Sequence, residues 1–95
     1  MEPGFSVTHE QGVITLTGDL DLATVPYFRA AIVEHEDEPL VVDLAGVEFV
    51  DSAGLRAMLE ARRLHGDVRY VKPTVQLQRL VELTGTGSLL FAPSI

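Results

Sequence analysis

The sequence contains no cysteine, so disulfide bonds, zinc–thiolate centres and thiol catalysis are excluded for this chain. It also lacks a long hydrophobic run: none approaches the roughly eighteen residues that a membrane-spanning helix needs. The first ten residues have neither the basic region nor the apolar segment of a signal peptide. We therefore expect a cytoplasmic protein with no segment inserted in a membrane.

Basic residues are few: seven Lys and Arg stand against fourteen Asp and Glu, and the formal net charge is −7. Nucleic acids are polyanions whose binding usually needs a cluster of basic side chains, and the only adjacent pair here is Arg62 and Arg63. We therefore predict no nucleic-acid partner and no attraction to an anionic membrane. A protein with a basic surface would be attracted instead.

The 95 residues, 46% of them apolar, predict one folded domain over residues 1–95. Alternating residues at the start predict a β-hairpin that ends near Thr17. Helical and extended patterns then alternate: a helix after Thr24, a strand over 40–44, a helix over 52–65, a strand over 68–71, a helix over 73–84 and a last strand over 89–91. This order predicts an α/β fold with a largely parallel sheet centre.

Ser52 lies where the apolar strand over residues 40–44 leads, through a turn, into a helical pattern. A helix N-terminus carries unpaired N–H groups and a partial positive charge, so it can hold a phosphate. A role as an ordinary helix N-cap explains this serine by itself, and an N-cap hydroxyl near the surface can also accept a phosphate. Phosphorylation adds about −1.5 to −2 charges next to Asp51, which can abolish a protein interface while the fold persists.

Three glycine and aspartate positions near Ser52 have two interpretations each. Gly54 is either tolerated at a helix start or required for close backbone approach by a partner or kinase. Asp19 and Asp21 form a weak divalent-cation pattern that a solvated loop explains better, so we predict no metal site. The loops over residues 19–24 and 47–54 both follow strands and are expected at the same end of the sheet.

None of the three histidines is placed to activate Ser52 as a nucleophile. His9 is expected in a hairpin turn and His35 at an acidic helix end, while His65 lies about 20 Å along the helix that Ser52 begins. We therefore predict no catalytic residue, no cofactor and no enzymatic activity.

Several short motifs follow one another over almost the whole chain: LTGDLD at 16–21, Thr24, VDL at 42–44, Phe49, DSAGL at 51–55, Val71, Pro73, Val81 and Thr84-Gly85. In this order they resemble the STAS family, the sulphate-transporter and anti-sigma-factor-antagonist domains, and in particular its small free-standing members. The resemblance implies a mixed, mostly parallel sheet with helices packed mainly on one face.

The resemblance also implies a function. Such a protein is an anti-sigma factor antagonist: it binds an anti-sigma factor that is also a serine kinase, and so releases a sigma factor. The kinase phosphorylates the serine that follows the motif's aspartate, which is Ser52 here; phosphorylation ends the binding and a serine phosphatase restores it. The partner face is then expected to comprise Asp19, Asp21, Thr24, Asp51, Ser52, Ala53, Gly54, Leu55 and Arg56.

The chain departs from the family pattern at three places. Ala53 replaces a frequent second Ser or Thr, which leaves Ser52 as the only acceptor in the motif. Arg56 replaces a small residue and can pair with a phosphate on Ser52. The family's usual last helix is expected to be missing after residues 89–91. An alternative role stays open, that of a STAS accessory subunit in a transporter or another assembly, with Ser52 only an N-cap and no phosphorylation switch. The sequence does not indicate an oligomeric state.

Overall fold

Strands and helices alternate along the chain after an opening hairpin. The structure, a computed structural model, describes residues 4–91. Its elements are β1 (Ser6–Glu10), β2 (Val13–Leu20), α1 (Val25–Glu34), β3 (Leu40–Val50), α2 (Ser52–Leu64), β4 (Val68–Val71), α3 (Val75–Thr84) and α4 (Gly87–Phe91). Together they form a single small α/β domain, as predicted.

The opening hairpin joins β1 to β2 through a two-residue turn. Gln11 and Gly12 both have positive φ, 51° and 78°, which is the backbone geometry of the tight turns that match strand twist. The predicted hairpin is confirmed. His9, however, was expected in the turn and instead lies within β1, opposite Ile14.

The four strands form one sheet in the order β1-β2-β3-β4. β1 is antiparallel to β2, whereas β2 with β3 and β3 with β4 are parallel. The helices α1 and α2 make the crossovers that parallel neighbours require. The prediction of a mixed, mostly parallel sheet is therefore confirmed.

Side chains alternate between a buried face and an open face of the sheet. Ile14 and Val42 are paired in register and fully buried, while the next pair, Thr15 and Asp43, is partly exposed. Phe28 of α1 contributes to the same core and is also fully buried. Each such side chain contributes about 1.5–3 kcal/mol relative to exposure. The helices thus cover mainly one face, as the resemblance implied.

The two central strands extend further than the sequence patterns predicted. Pairing continues past two register irregularities as far as Leu20 with Val50, so the predicted loop over residues 47–50 is wrong. Asp19 and Glu48 lie at exposed positions there while Leu20 and Val50 are buried. Glu48 and Phe49 are both exposed at the second register irregularity, so the strict alternation of a strand is interrupted there, which gave the segment the appearance of a loop.

The C-terminal segment is helical, so the predicted last strand over residues 89–91 is wrong. The amides of Leu89 and Leu90 both donate to the Thr86 carbonyl, at 3.0 and 3.1 Å. Leu90 is fully buried, and its carbonyl accepts a bond of 3.3 Å from Arg62. We also expected a final strand without a helix to cover it. This expectation is wrong too, because residues 89–91 belong to the helix α4. Residues 92–95 lie outside the described part of the chain.

Tyr70 of β4 holds α2 in place. Its hydroxyl donates a hydrogen bond of 2.7 Å to the carbonyl of Met58, and the ring is 6% exposed. Burial raises the pKa of Tyr70 far above its ordinary value, an effect that the positive charge of Arg62 opposes. The phenol therefore remains a neutral donor and ties the middle of α2 to β4.

Candidate functional site

The segment over residues 19–24 lies against the N-terminus of α2, at the carboxyl ends of β2 and β3. The amide of Leu22 donates to Asp51 Oδ2 at 3.3 Å, and the amide of Asp51 donates to the carbonyl of Leu20 at the same distance. The prediction that these two parts of the chain lie at one end of the sheet is confirmed.

Asp51 is the N-cap of α2. Its backbone is extended, with φ −93° and ψ −175°, and its Oδ1 accepts the amide hydrogen of Gly54 at 2.8 Å. The interpretation of Ser52 as the N-cap is therefore wrong by one residue. Aspartate caps helices as well as serine does, and adjacent candidates cannot be separated by residue type alone.

Ser52 is the first residue of α2 and is exposed. Within residues 4–91 its hydroxyl makes no hydrogen bond, because the capping role belongs to Asp51. The hydroxyl thus faces solvent beside the partial positive charge of a helix N-terminus. This is a favourable position for an added phosphate.

Gly54 is buried in the first turn of α2, directly against β2. A side-chain carbon at this position would overlap the carbonyl oxygen of Leu20 and press on Val50. The close backbone approach considered for Gly54 is therefore made by the chain itself. It allows the helix to begin immediately beside the end of β2 and brings Ser52 close to the 19–24 segment.

The 19–24 segment is held by its own side chains. Thr24 is 4% exposed; its hydroxyl donates to the carbonyl of Asp19 at 2.8 Å and accepts from the amide of Asp21 at 2.9 Å. Asp21 Oδ1 in turn accepts from the amides of Ala23 and Thr24, at 3.0 and 3.1 Å. Thr24 precedes α1 as predicted, but its side chain makes no cap bond to that helix. The Asp21 carboxylate is therefore explained by its hydrogen bonds within the segment, without a bound cation.

The nine residues predicted for the partner face differ in exposure. Asp19, Ser52 and Arg56 are exposed, whereas Thr24, Gly54 and Leu55 are buried and Asp21, Asp51 and Ala53 are intermediate. Arg56 lies four residues after Ser52, on the same side of α2. The structure thus brings the nine positions together, with three of them exposed.

Comparison with known proteins agrees with this architecture. A family model described as "Mlab, STAS domain" matches residues 4–91. The chain belongs to the STAS family. No curated protein matches the sequence at a significant level.

Solved structures with the same fold include two regulators. An anti-sigma factor antagonist from Mycobacterium paratuberculosis is 24% identical with a TM-score of 0.72, over 94% of this chain and 85% of that one. The anti-sigma factor antagonist SpoIIAA in its unphosphorylated form is 21% identical with a TM-score of 0.70, over 90% and 84% of the two chains. At these identities the likeness establishes the fold.

A third similar structure belongs to a much larger protein. The murine anion transporter Solute Carrier 26 family member A9, in its inward-facing state, is 22% identical with a TM-score of 0.66. The match covers 93% of this chain but 17% of the transporter. The fold therefore occurs both as a small regulator and as one part of a transporter. Within residues 4–91 of the present STAS domain, no helix is long and apolar enough to cross a membrane.

Two exposed apolar side chains beside the site of this STAS domain are not among the nine residues predicted for the partner face. Leu22 is 77% exposed in the middle of the 19–24 segment, and Phe49 near the end of β3 is 53% exposed. Phe49 lines a groove of about 290 Å³ together with Leu80 and Leu83 of α3. The sequence signal for Leu22 is an apolar residue between Asp21 and Thr24, in a segment whose polar side chains form hydrogen bonds within the segment itself.

The histidines lie away from Ser52. His9 and His35 stack on each other with ring centroids 3.4 Å apart, and His65, which follows α2, is 3.8 Å from Glu36. Among residues 4–91 no imidazole is hydrogen bonded to the Ser52 hydroxyl. A serine nucleophile here would lack the general base that it needs.

Proposed function

We propose that this STAS domain is an anti-sigma factor antagonist: it binds an anti-sigma factor with serine kinase activity and so releases a sigma factor. Phosphorylation of Ser52 ends the binding, and a serine phosphatase restores it. The observation that carries the proposal is the exposed Ser52 hydroxyl, which is free of internal bonds at the first position of α2. Two similar structures are of anti-sigma factor antagonists, and one is described as unphosphorylated.

The switch is electrostatic. A phosphate adds about −1.5 to −2 charges, and Asp19 and Asp51 already lie in the two segments that flank Ser52. A partner surface that accommodates a neutral hydroxyl has to desolvate or repel this added charge. The fold itself tolerates it, because the helix N-terminus favours an anion. Binding is therefore lost without unfolding.

The partner contacts Asp19, Leu22, Ser52 and Arg56, which are exposed. The buried Thr24, Gly54 and Leu55, with Asp21, Asp51 and Ala53, shape this face from beneath. The exposed Leu22 supplies apolar area next to charged groups, a combination typical of protein interfaces. The net charge of −7 speeds association with a basic partner surface. The protein acts by binding, in the cytoplasm, without catalysis or a cofactor.

A paired pull-down from the native host tests the proposal, with Ser52→Ala and Ser52→Asp as baits. The Ala bait should recover an ATP-binding anti-sigma kinase and resist phosphorylation by it, and the Asp bait should not recover it. Ser88→Asp is the matched control, since it adds the same charge at an exposed serine of α4. It should bind as the unmodified protein does.

Affinity for the recovered kinase gives the size of the effect. We expect Ser52→Asp to weaken binding by about 2 kcal/mol or more, roughly 30-fold, because a charge is introduced into an interface. Equal affinities of the Ala and Asp variants would refute the switch at Ser52.

A second function is favoured by two of the comparisons. The matching family model bears the name Mlab, and one similar structure is an anion transporter. In that case the domain is an accessory subunit of a transporter assembly and Ser52 is not modified. Recovery of the same membrane ATPase by both baits would support this function.

A further inference from the structure

Two histidines and a glutamate meet at the end of the domain opposite Ser52. His9 comes from β1, while His35 and Glu38 come from the connection between α1 and β3. His9 Nε2 lies 2.8 Å from Glu38 Oε1, and the rings of His9 and His35 stack with an interplanar angle of 6°. This cluster lies about 30 Å from Ser52, measured along β3.

Each of the three side chains can offer one metal ligand, and these ligand atoms all lie within 4.8 Å of one another. Among residues 4–91 this is the only group of three or more His, Cys, Asp or Glu side chains so arranged. Imidazole and carboxylate are established Zn²⁺ ligands, with bonds of about 2.0–2.2 Å. Ligand atoms around tetrahedral zinc are then roughly 3.3 Å apart, so the three ligand atoms must move closer together when an ion binds.

The surrounding charge favours a cation. The connection contains Glu36, Asp37 and Glu38 directly after Glu34 at the end of α1, and the whole chain carries a net charge of −7. The ligands are also accessible, since the His9 side chain is 25% exposed and that of Glu38 is 44% exposed. An ion can therefore reach the cluster without unfolding of the domain.

We propose that His9, His35 and Glu38 form a binding site for a transition-metal ion of the Zn²⁺ type, with water as the remaining ligand. The ion replaces the proton shared between His9 and Glu38. It must lie in the plane of each imidazole that binds it, so the two stacked rings open relative to each other. The bound ion ties β1 to the α1–β3 connection and stabilises that end of the sheet.

Isothermal titration of the untagged protein with ZnCl₂ tests the proposal. We expect one Zn²⁺ per chain and a higher thermal unfolding midpoint, with no such effect of Mg²⁺, which prefers oxygen ligands. Removal of a residue that only hydrogen bonds to a metal ligand already lowers metal affinity by about 10–100-fold. We therefore expect a loss of at least that size in each of the ligand variants His9→Gln, His35→Gln and Glu38→Gln. His65→Gln, the matched control, should change affinity less than about twofold.

Imidazole NMR signals of the unmodified protein provide a test that does not depend on the folding of variants. Zn²⁺ should shift the signals of His9 and His35 and leave those of His65 unchanged. Absence of binding at about 100 μM Zn²⁺, or an equal loss of affinity in His65→Gln, would overturn the site. So would a full-affinity His9→Gln or His35→Gln variant.

Discussion

The carboxylate of Asp51 accepts a hydrogen bond of 3.3 Å from the amide of Leu22, across 29 residues of sequence. Its other oxygen caps α2 by accepting from Gly54. One side chain therefore fixes both the start of α2 and the 19–24 segment beside it. The position of Ser52, between these two contacts, depends on Asp51.

Two substitutions of Asp51 distinguish the contribution of its helix cap from that of its contact with Leu22. Asp51→Ala removes both, and we expect a loss of about 1–2 kcal/mol in the free energy of unfolding, measured with urea. Asp51→Asn keeps a carbonyl oxygen for the cap and should lose less than about 0.5 kcal/mol. Its amide nitrogen cannot accept from Leu22, so hydrogen exchange at the Leu22 amide should accelerate in both variants. Unchanged exchange in Asp51→Ala would show that the contact with Leu22 does not hold the segment.

Gly54→Ala should destabilise the domain, although alanine is normally preferred to glycine in a helix by about 1 kcal/mol. The new methyl group would overlap the Leu20 carbonyl, and such overpacking costs about 1–3 kcal/mol. Gly66→Ala is the control, because a side-chain carbon there meets nothing within 4 Å. Urea unfolding of both variants measures the difference. A stabilised Gly54→Ala variant would contradict the close approach.

Much of the architecture was predictable because its signals are local. The alternation of apolar patterns predicted the hairpin, the parallel centre and the position of α2. The segment over residues 89–91 was not, because a short apolar run does not distinguish a strand from a buried helical turn. It is helical through contacts with Thr86 and with the distant Arg62.

The details of the site depended on long-range contacts that residue patterns do not contain. Asp51 and Ser52 are equally good caps by type, and the bond from Leu22 to Asp51 spans 29 residues. The meeting of His9 with Glu38 also spans 29 residues. The two long-range contacts, Leu22 with Asp51 and His9 with Glu38, can be identified only when the register of the strands is known. The prediction of Ser52 as a phosphoacceptor came from its place at a helix N-terminus together with the family resemblance, and it stays a prediction.

Tyr70→Phe should alter stability in a pH-dependent way. At neutral pH the loss of the bond to Met58 costs about 1 kcal/mol. Burial raises the pKa of Tyr70 in the folded state, so the unfolded chain releases the phenolic proton first as pH rises. The stabilisation is therefore complete below about pH 10 and falls above it by up to about 1.4 kcal/mol per pH unit. Unfolding curves at pH values on both sides of 10 measure the slope.

The alkaline loss of stability should be smaller in Tyr70→Phe than in the unmodified protein. Tyr27→Phe, which changes a tyrosine that is 39% exposed, is the control. It should retain the full alkaline slope. If the slope is the same in all three proteins, the buried phenol of Tyr70 is not its source.

Phosphorylation of Ser52 should stabilise the isolated domain even though we propose that it abolishes partner binding. A phosphate at the first position of α2 interacts favourably with the helix N-terminus, by about 0.3–1 kcal/mol at low salt. Arg56, at the i+4 position, adds a charge pair of similar size. Urea unfolding of protein carrying phosphoserine at position 52, at low and high salt, measures both contributions.

Arg56→Gln should reduce the stabilisation by phosphate, whereas Arg63→Gln, at the other end of α2, should leave it unchanged. High salt should weaken the effect, because both interactions are exposed. If phosphorylation instead destabilises the fold, loss of partner binding would follow from unfolding of α2. If the domain is as stable or more so and still loses its partner, the switch acts through charge at the interface alone.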